Sequence, residues 1–171
     1  MKLCKGVLLF MVAVMLFGCG KTPALMTGEK IIQEATVVLM VDNQSILADE
    51  TMWRLTDTKI QTHTGTKTTV DDLKVGDLIG YENDGSIAES YPQQGTLKKL
   101  TLFNDEYSLR VSSAITSFLE NQPKGDLVEF EILSIDGNAL KARMKVWDFE
   151  VDGHYLAQID LETHEFTLTE E

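Results

Sequence analysis

Cysteine is nearly absent: of 171 residues only Cys4 and Cys19 carry a thiol, both inside the first nineteen. Beyond Cys19, a disulfide framework, a thiolate metal site and a cysteine nucleophile are all excluded. Histidine, the commonest general base at neutral pH, occurs three times, at His63, His154 and His164, each in a segment that reads as a turn or an exposed stretch. No nucleophile elbow, Ser-x-x-Lys, His-Glu-x-x-His or phosphate loop is present. An EF-hand also fails: with Gly85 as its sixth residue, Gly80 falls at the first position and Tyr91 at the twelfth, where acids are required. His154 and His164, ten residues apart across a hairpin, are open to facing one another beside Asp152 or Glu162, but two turn histidines read as exposed polar residues rather than as a metal site. The expectation is therefore a non-enzyme with no cofactor and no metal.

Basic residues are scarce too. Fifteen Lys and Arg against 27 Asp and Glu leave a formal charge of −12, and a chain of that sign is repelled by nucleic acid and by anionic headgroups. Nucleic acid is excluded as a partner, and the acidic excess reads as a solubilising surface. Long apolar runs are missing as well. The longest is Val7 to Phe17, eleven residues, whereas a helix needs about 20 to span a bilayer.

That run is the most informative segment. Preceded by Lys2 and Lys5 and followed at once by Leu16-Phe17-Gly18-Cys19, it has the form of a secretory signal. A cysteine directly after Leu-x-Gly resembles the lipobox of bacterial lipoproteins. The resemblance implies cleavage between Gly18 and Cys19, lipid on the Cys19 sulfur and attachment to the membrane from its extracytoplasmic face. Gly20 carries no Asp-type retention signal, so the destination is the outer membrane where the host has one. Residues 1–18 are thus expected to leave as a signal peptide and residues 19–33 to form a lipidated linker, with Pro23 and Gly28 and no sustained period.

From Glu34 the pattern is β. Ala35 to Val41 reads as a strand, Asp42-Asn43-Gln44 as a turn, Ser45 to Ala48 as the returning strand and Thr58 to Thr62 as a short strand. Asp71 or Asp72 is suited to cap a single helical turn, Gly76 to reverse the backbone after it, and Asp77 to Tyr81 to begin a strand that breaks at a tight turn, Asn83-Asp84-Gly85. Tyr91-Pro92 restricts the chain and is open to the cis form; Leu97 to Leu102 resumes as a strand.

The stretches "GSIAESYPQQGTLKKLTL", "VVLMVDNQSILADE" and "DLKVGDLI" resemble the OB-like domain of unknown function of YobA-type lipoproteins from Gram-positive bacteria. Gly85, Ile87, Glu89, Ser90, Pro92 and Gln94 fall on that family's signature, and Gly95 stands where alanine is common. The resemblance implies a small OB-like barrel over residues 34–103 and supplies no chemistry. The candidate ligand-binding residues are Glu89, Ser90, Tyr91 and Gln94. Glu89 is open to two readings: it orients a ligand on the barrel rim, where OB folds bind, or it bonds turn amides and fixes the crossover.

Residues 104–171 read as an α+β unit. Val111, Ala114, Ile115, Phe118 and Leu119 recur at helical spacing, and Gln122-Pro123-Lys124-Gly125 stops that helix. An antiparallel meander follows: Asp126 to Ser134, Ala139 to Val151, Tyr155 to Asp160 and Phe166 to Leu168. A switch of apolar phase near Trp147 suggests a bulge in the second strand. "WDFEVDGHYLAQIDLETHEFTL" is similar to the end of a PepSY-type module, an extracytoplasmic domain associated with restraining peptidases, which usually has glycine where this chain has His164.

The sequence thus predicts a mainly β, β-rich α+β protein: an OB-like barrel, then one helix packed on a curved antiparallel sheet. The expected role is non-catalytic binding of a small ligand or an envelope protein at the cell membrane. An inhibitor or regulator of an envelope protein or peptidase is one alternative, and an envelope-polymer hydrolase is another.

Overall fold

The computed structural model describes residues 25–147 and 153–171. The signal segment 1–18, Cys19 and the start of the linker lie outside the described residues, as does Asp152. Among the described residues no helix is long and apolar enough to cross a membrane.

The first element corrects the expected linker. Gly28–Glu34 is a helix, α1, whose N-cap Thr27 accepts a hydrogen bond from Lys30 N at 3.3 Å. Two turns are too short to display a periodic stripe, yet they seat Ile31 with no exposed surface, beside the buried Met26. The fold therefore starts before Glu34.

Seven strands follow: β1 Thr36–Val37, β2 Met40–Asp42, β3 Ser45–Ala48, β4 Thr51–Arg54, β5 Lys59–Thr62, β6 Leu78–Ala88 and β7 Gln93–Leu102. They form one curled half-barrel sheet, ordered β1-β6-β7-β4-β3-β2, with β5 also on β7. The expected strand over Ala35 to Val41 is split because Val38 N donates to Asp77 O and Val38 O accepts from Gly76 N. The single helical turn is present at Val70–Asp72, capped by Thr69 and not by an aspartate. Asp72 is instead its third residue, and its carboxylate accepts from Thr69 N at 2.9 Å. Asn83-Asp84-Gly85 does not reverse the chain. It is a bulge inside β6, where the register against β7 jumps from Asn83↔Leu97 to Ile87↔Gly95. Asn83 Oδ1 accepts from Gly85 N and Asp84 Oδ1 from Ser86 N, so the side chains complete the bulge.

The half-barrel core is Val38, Ile46, Ala48, Trp53, Leu55, Leu73, Ile79, Leu97 and Leu100. Trp53 Nε1 donates to Ala48 O at 3.1 Å, so the buried indole is satisfied. Gly95 lies against this ring, and a Cβ there would overlap it.

The second half holds α2 Glu106–Asn121, β8 Leu127–Asp136, β9 Ala139–Val146, β10 His154–Asp160 and β11 Phe166–Glu170. The strands run in sheet order β11-β10-β9-β8, all antiparallel. Asp105 caps α2, and Val111, Ala114, Ile115 and Phe118 are buried as the spacing requires; each fully buried large apolar side chain contributes about 1.5–3 kcal/mol. The described irregularities fall in β8, after Leu127 and after Ile132; the bulge expected near Trp147, in a strand running to Val151, falls where residues 148–152 lie outside the described residues. The core beneath α2 is shared, since Met26, Ile31, Val37, Leu78 and Phe103 from the first half join α2 and β8–β11 in one cluster. Gly76 (φ +89°) fixes a second joint, with Ser112 Oγ donating to Gly76 O at 2.9 Å and Thr116 Oγ1 to Val75 O at 3.1 Å.

Candidate functional site

The β6–β7 hairpin reverses over residues 89–92, and this tip leans on the second sheet. The Tyr91–Pro92 peptide is cis, and Ser90 Oγ donates to Pro92 O at 2.7 Å across the reversal. Tyr91 meets Trp147 edge-on, centroids 6.5 Å apart, and Lys145 Nζ lies 5.8 Å from the Tyr91 ring centre. The same ammonium pairs with Glu50 Oε1 at 2.6 Å, and this is the least exposed ion pair among the described residues.

Glu50 belongs to the two-residue turn between β3 and β4. Asp49 and Glu50 both adopt left-handed backbone, φ 53° and 55°, the geometry of a tight hairpin turn that usually takes Asn-Gly. Held so, Glu50 N donates to Val128 O at 3.0 Å and Glu50 O accepts from Gln93 N at 2.9 Å. One turn thus ties the second sheet to the base of the hairpin tip.

Charge is concentrated at this seam. Burial holds the Glu129 carboxyl above its usual range, and the nearby Glu50, Asp49 and Glu131 add to the effect against Lys145. Tyr81, whose hydroxyl donates to Asp49 Oδ2 at 3.2 Å, is pushed up to about 12 by burial and then by the Asp49 charge. An ammonium, an aromatic edge and carboxylates therefore converge where the two halves meet.

The four residues predicted from sequence do not form one site. Tyr91 is at the seam, while Glu89 and Ser90 are exposed at the tip. Gln94 lines a separate groove of ≈ 490 Å³ with Arg54, Thr96 and the β6 bulge. Glu89 makes no side-chain hydrogen bond or ion pair among the described residues, so it does not fix the crossover; Ser90 does that work at the tip. Lys145, Glu50, Glu129 and Trp147 were missed because they come from three distant segments. The one local signal was Asp49-Glu50 standing as a two-residue loop between two strands.

The histidine pair is also corrected. His154 opens β10 and His164 follows the turn at its far end, about 20 Å away for seven strand residues. His164 has φ +60°, the conformation glycine adopts most readily. Asp160 Oδ1 accepts from Glu162 N and Thr163 N in that turn, which holds the Asp160 carboxyl below its usual range. Among the described residues no three His, Cys, Asp or Glu side chains stand together as a metal site.

Residues 28–102 match the family model of a protein of unknown function, DUF3221. The DUF3221 span runs from the first residue of α1 to the last residue of β7, so it includes the helix that the sequence reading assigned to a linker. It contains the hairpin tip and the Asp49-Glu50 turn, and leaves Glu129, Lys145 and Trp147 outside. No curated protein and no solved structure matches the chain.

Proposed function

We propose that this chain is a lipid-anchored, extracytoplasmic binding protein of the YobA type, held to the membrane through Cys19, and that it binds its ligand without catalysis at the β6–β7 hairpin tip. The lipobox-like Leu16-Phe17-Gly18-Cys19 supports the anchor. The observation that carries the binding site is the meeting of Tyr91, Trp147 and Lys145 across the two sheets, next to exposed Glu89 and Ser90. A ligand seated there touches both halves and pins the seam between them. Lys145 and Glu89 offer opposite charges to it, and the Tyr91 ring, 39% exposed, offers a stacking edge.

Two measurements test this. Metabolic lipid labelling should disappear in Cys19→Ala; labelling that persists removes the anchor. Thermal unfolding of the chain is scanned against divalent ions, wall fragments, oligosaccharides, nucleotides and peptides, where a ligand at a hundred times its Kd stabilises by about 2.7 kcal/mol. Glu89→Ala should leave the unliganded Tm unchanged, because its side chain holds nothing in place, and should diminish the ligand-induced shift. An undiminished shift moves the site elsewhere.

A further inference from the structure

The outer edge of β11 is open. Among the described residues β11 ends its sheet, with β10 on one side and no strand on the other. Asp160 N donates to Glu165 O and Glu171 N to His154 O, which sets the alternation along the antiparallel pair. Residues 165, 167, 169 and 171 therefore bond inward, and Phe166, Leu168 and Glu170 turn their N–H and C=O groups outward.

Other edges of the molecule are protected in ways that β11 is not. Along β6, beyond the two residues covered by β1, the side chains of Asn83 and Asp84 occupy the amides of Gly85 and Ser86. β2 is three residues long. The outer side of β8 lies against α1, β1 and β3. β11 has an uninterrupted register from Phe166 to Glu170, with no proline, lysine or bulge.

Its two faces and its charge define what fits. Phe166 and Leu168 point to the core, Phe166 stacking edge-on at 5.0 Å to Phe118, while Thr167 and Thr169 are exposed. Glu162, Glu165 and Glu170 are exposed and form no ion pair among the described residues, and residues 161–171 hold no Lys or Arg. A second copy paired antiparallel about Leu168 would set each Glu165 against a Glu171 whose carboxylate Arg143 already holds at 2.9 and 3.0 Å, so that self-pairing supplies Glu165 with no counter-charge. A basic strand meets complementary charge instead.

We propose that the β11 edge receives an extended segment of a protein partner as a fifth strand, with Lys or Arg alternating with apolar residues so that the apolar side lies beside Phe166 and Leu168. The site is three strands away from the β8 edge that faces the hairpin tip, and it depends on neither the anchor nor the tip.

The test uses the full chain and a short peptide alternating valine and lysine, with a second peptide N-methylated along one edge so that it cannot donate. In the free chain the amides of Phe166, Leu168 and Glu170 should exchange readily while those of Thr167 and Thr169 are protected. The first peptide should protect the outward amides, the methylated one should not bind, and the exposed charge reversal Glu165→Lys, on the face that the peptide's lysines share, should weaken binding about tenfold or more. Absent binding, protection elsewhere than β11, or equal affinity for the charge-reversed chain overturns the proposal. So does sedimentation showing a dimer whose outward amides are already protected, which would give the edge to a second copy.

Discussion

In the sheet of β8–β11 every strand pairs with its neighbour in sequence, whereas in the half-barrel β7 has β6 on one side and β4 and β5 end to end on the other, both parallel to it. The first arrangement is built from short antiparallel connections. The second brings together segments about forty residues apart. Irregular backbone occurs in both: Asp49, Glu50 and Asp57 hold positive φ and the 83–87 bulge interrupts β6 in the half-barrel, while the second half has, among the described residues, His164 at positive φ and two register shifts in β8. The distant pairing of β4 with β7 brings two tight local turns side by side, Asp49-Glu50 between β3 and β4 and the tip between β6 and β7, and together they form the seam.

Two differently built halves could unfold separately or together, and the shared core decides between these outcomes. Phe118→Ala empties the shared core and should destabilise by about 3–5 kcal/mol. Because that core holds Ile31 and Leu78 as well as β8–β11, hydrogen exchange in β3–β4 and in β9–β10 should rise together. Acceleration confined to the second sheet would make the halves independent. Gly95→Ala acts on the half-barrel alone: the added methyl meets the Trp53 ring, and overpacking of this kind costs about 1–3 kcal/mol, at roughly 2–4 °C of Tm per kcal/mol. An unchanged Tm would mean that the indole can move aside.

Smaller effects sharpen the view of the seam. A double-mutant cycle on Glu50→Ala and Lys145→Ala should return a coupling of about 1 kcal/mol, the upper part of the range for partly exposed pairs, and zero coupling would remove the ion pair from the joint. Glu129→Gln should change the pH dependence of stability. The folded chain holds the Glu129 proton to higher pH than the unfolded chain does, so stability falls as pH climbs from the ordinary glutamate value through the raised one. Urea unfolding across that interval should show Glu129→Gln gaining on the wild type as pH rises; parallel curves would show that Lys145 already compensates the charge.

Legibility followed the same division. Helix α2 and, over the described residues, the four strands after it were readable within a few residues, because a stripe at helical spacing and alternation between turns are local signals. In the half-barrel the hairpin around Asn43, the strand at Thr58 to Thr62 and the helical turn near Asp72 were also readable. The parallel pairing of β7 was not, since nothing in "QQGTLKKL" names its partners, and α1 was too short to show a period. Gly95, a departure from alanine in the resembling family, gained its reason only when Trp53 was seen across it. Of the site, Tyr91 was legible as a crowded polar stretch beside a proline; Lys145 and Glu50 became visible only once the fold had placed them 2.6 Å apart.

Helix α1 packs on β8, although the two are separated by roughly a hundred residues of chain. The apolar side of this first helix has no seat until the segment beginning at Leu127 has been made and folded. A product stopped after β7, at the end of the DUF3221 span, would present Ile31 and Met26 to solvent. Completion of this fold is thus decided late, by the last third of the polypeptide, and shortened chains should be recognisable to quality control by their exposed leading end.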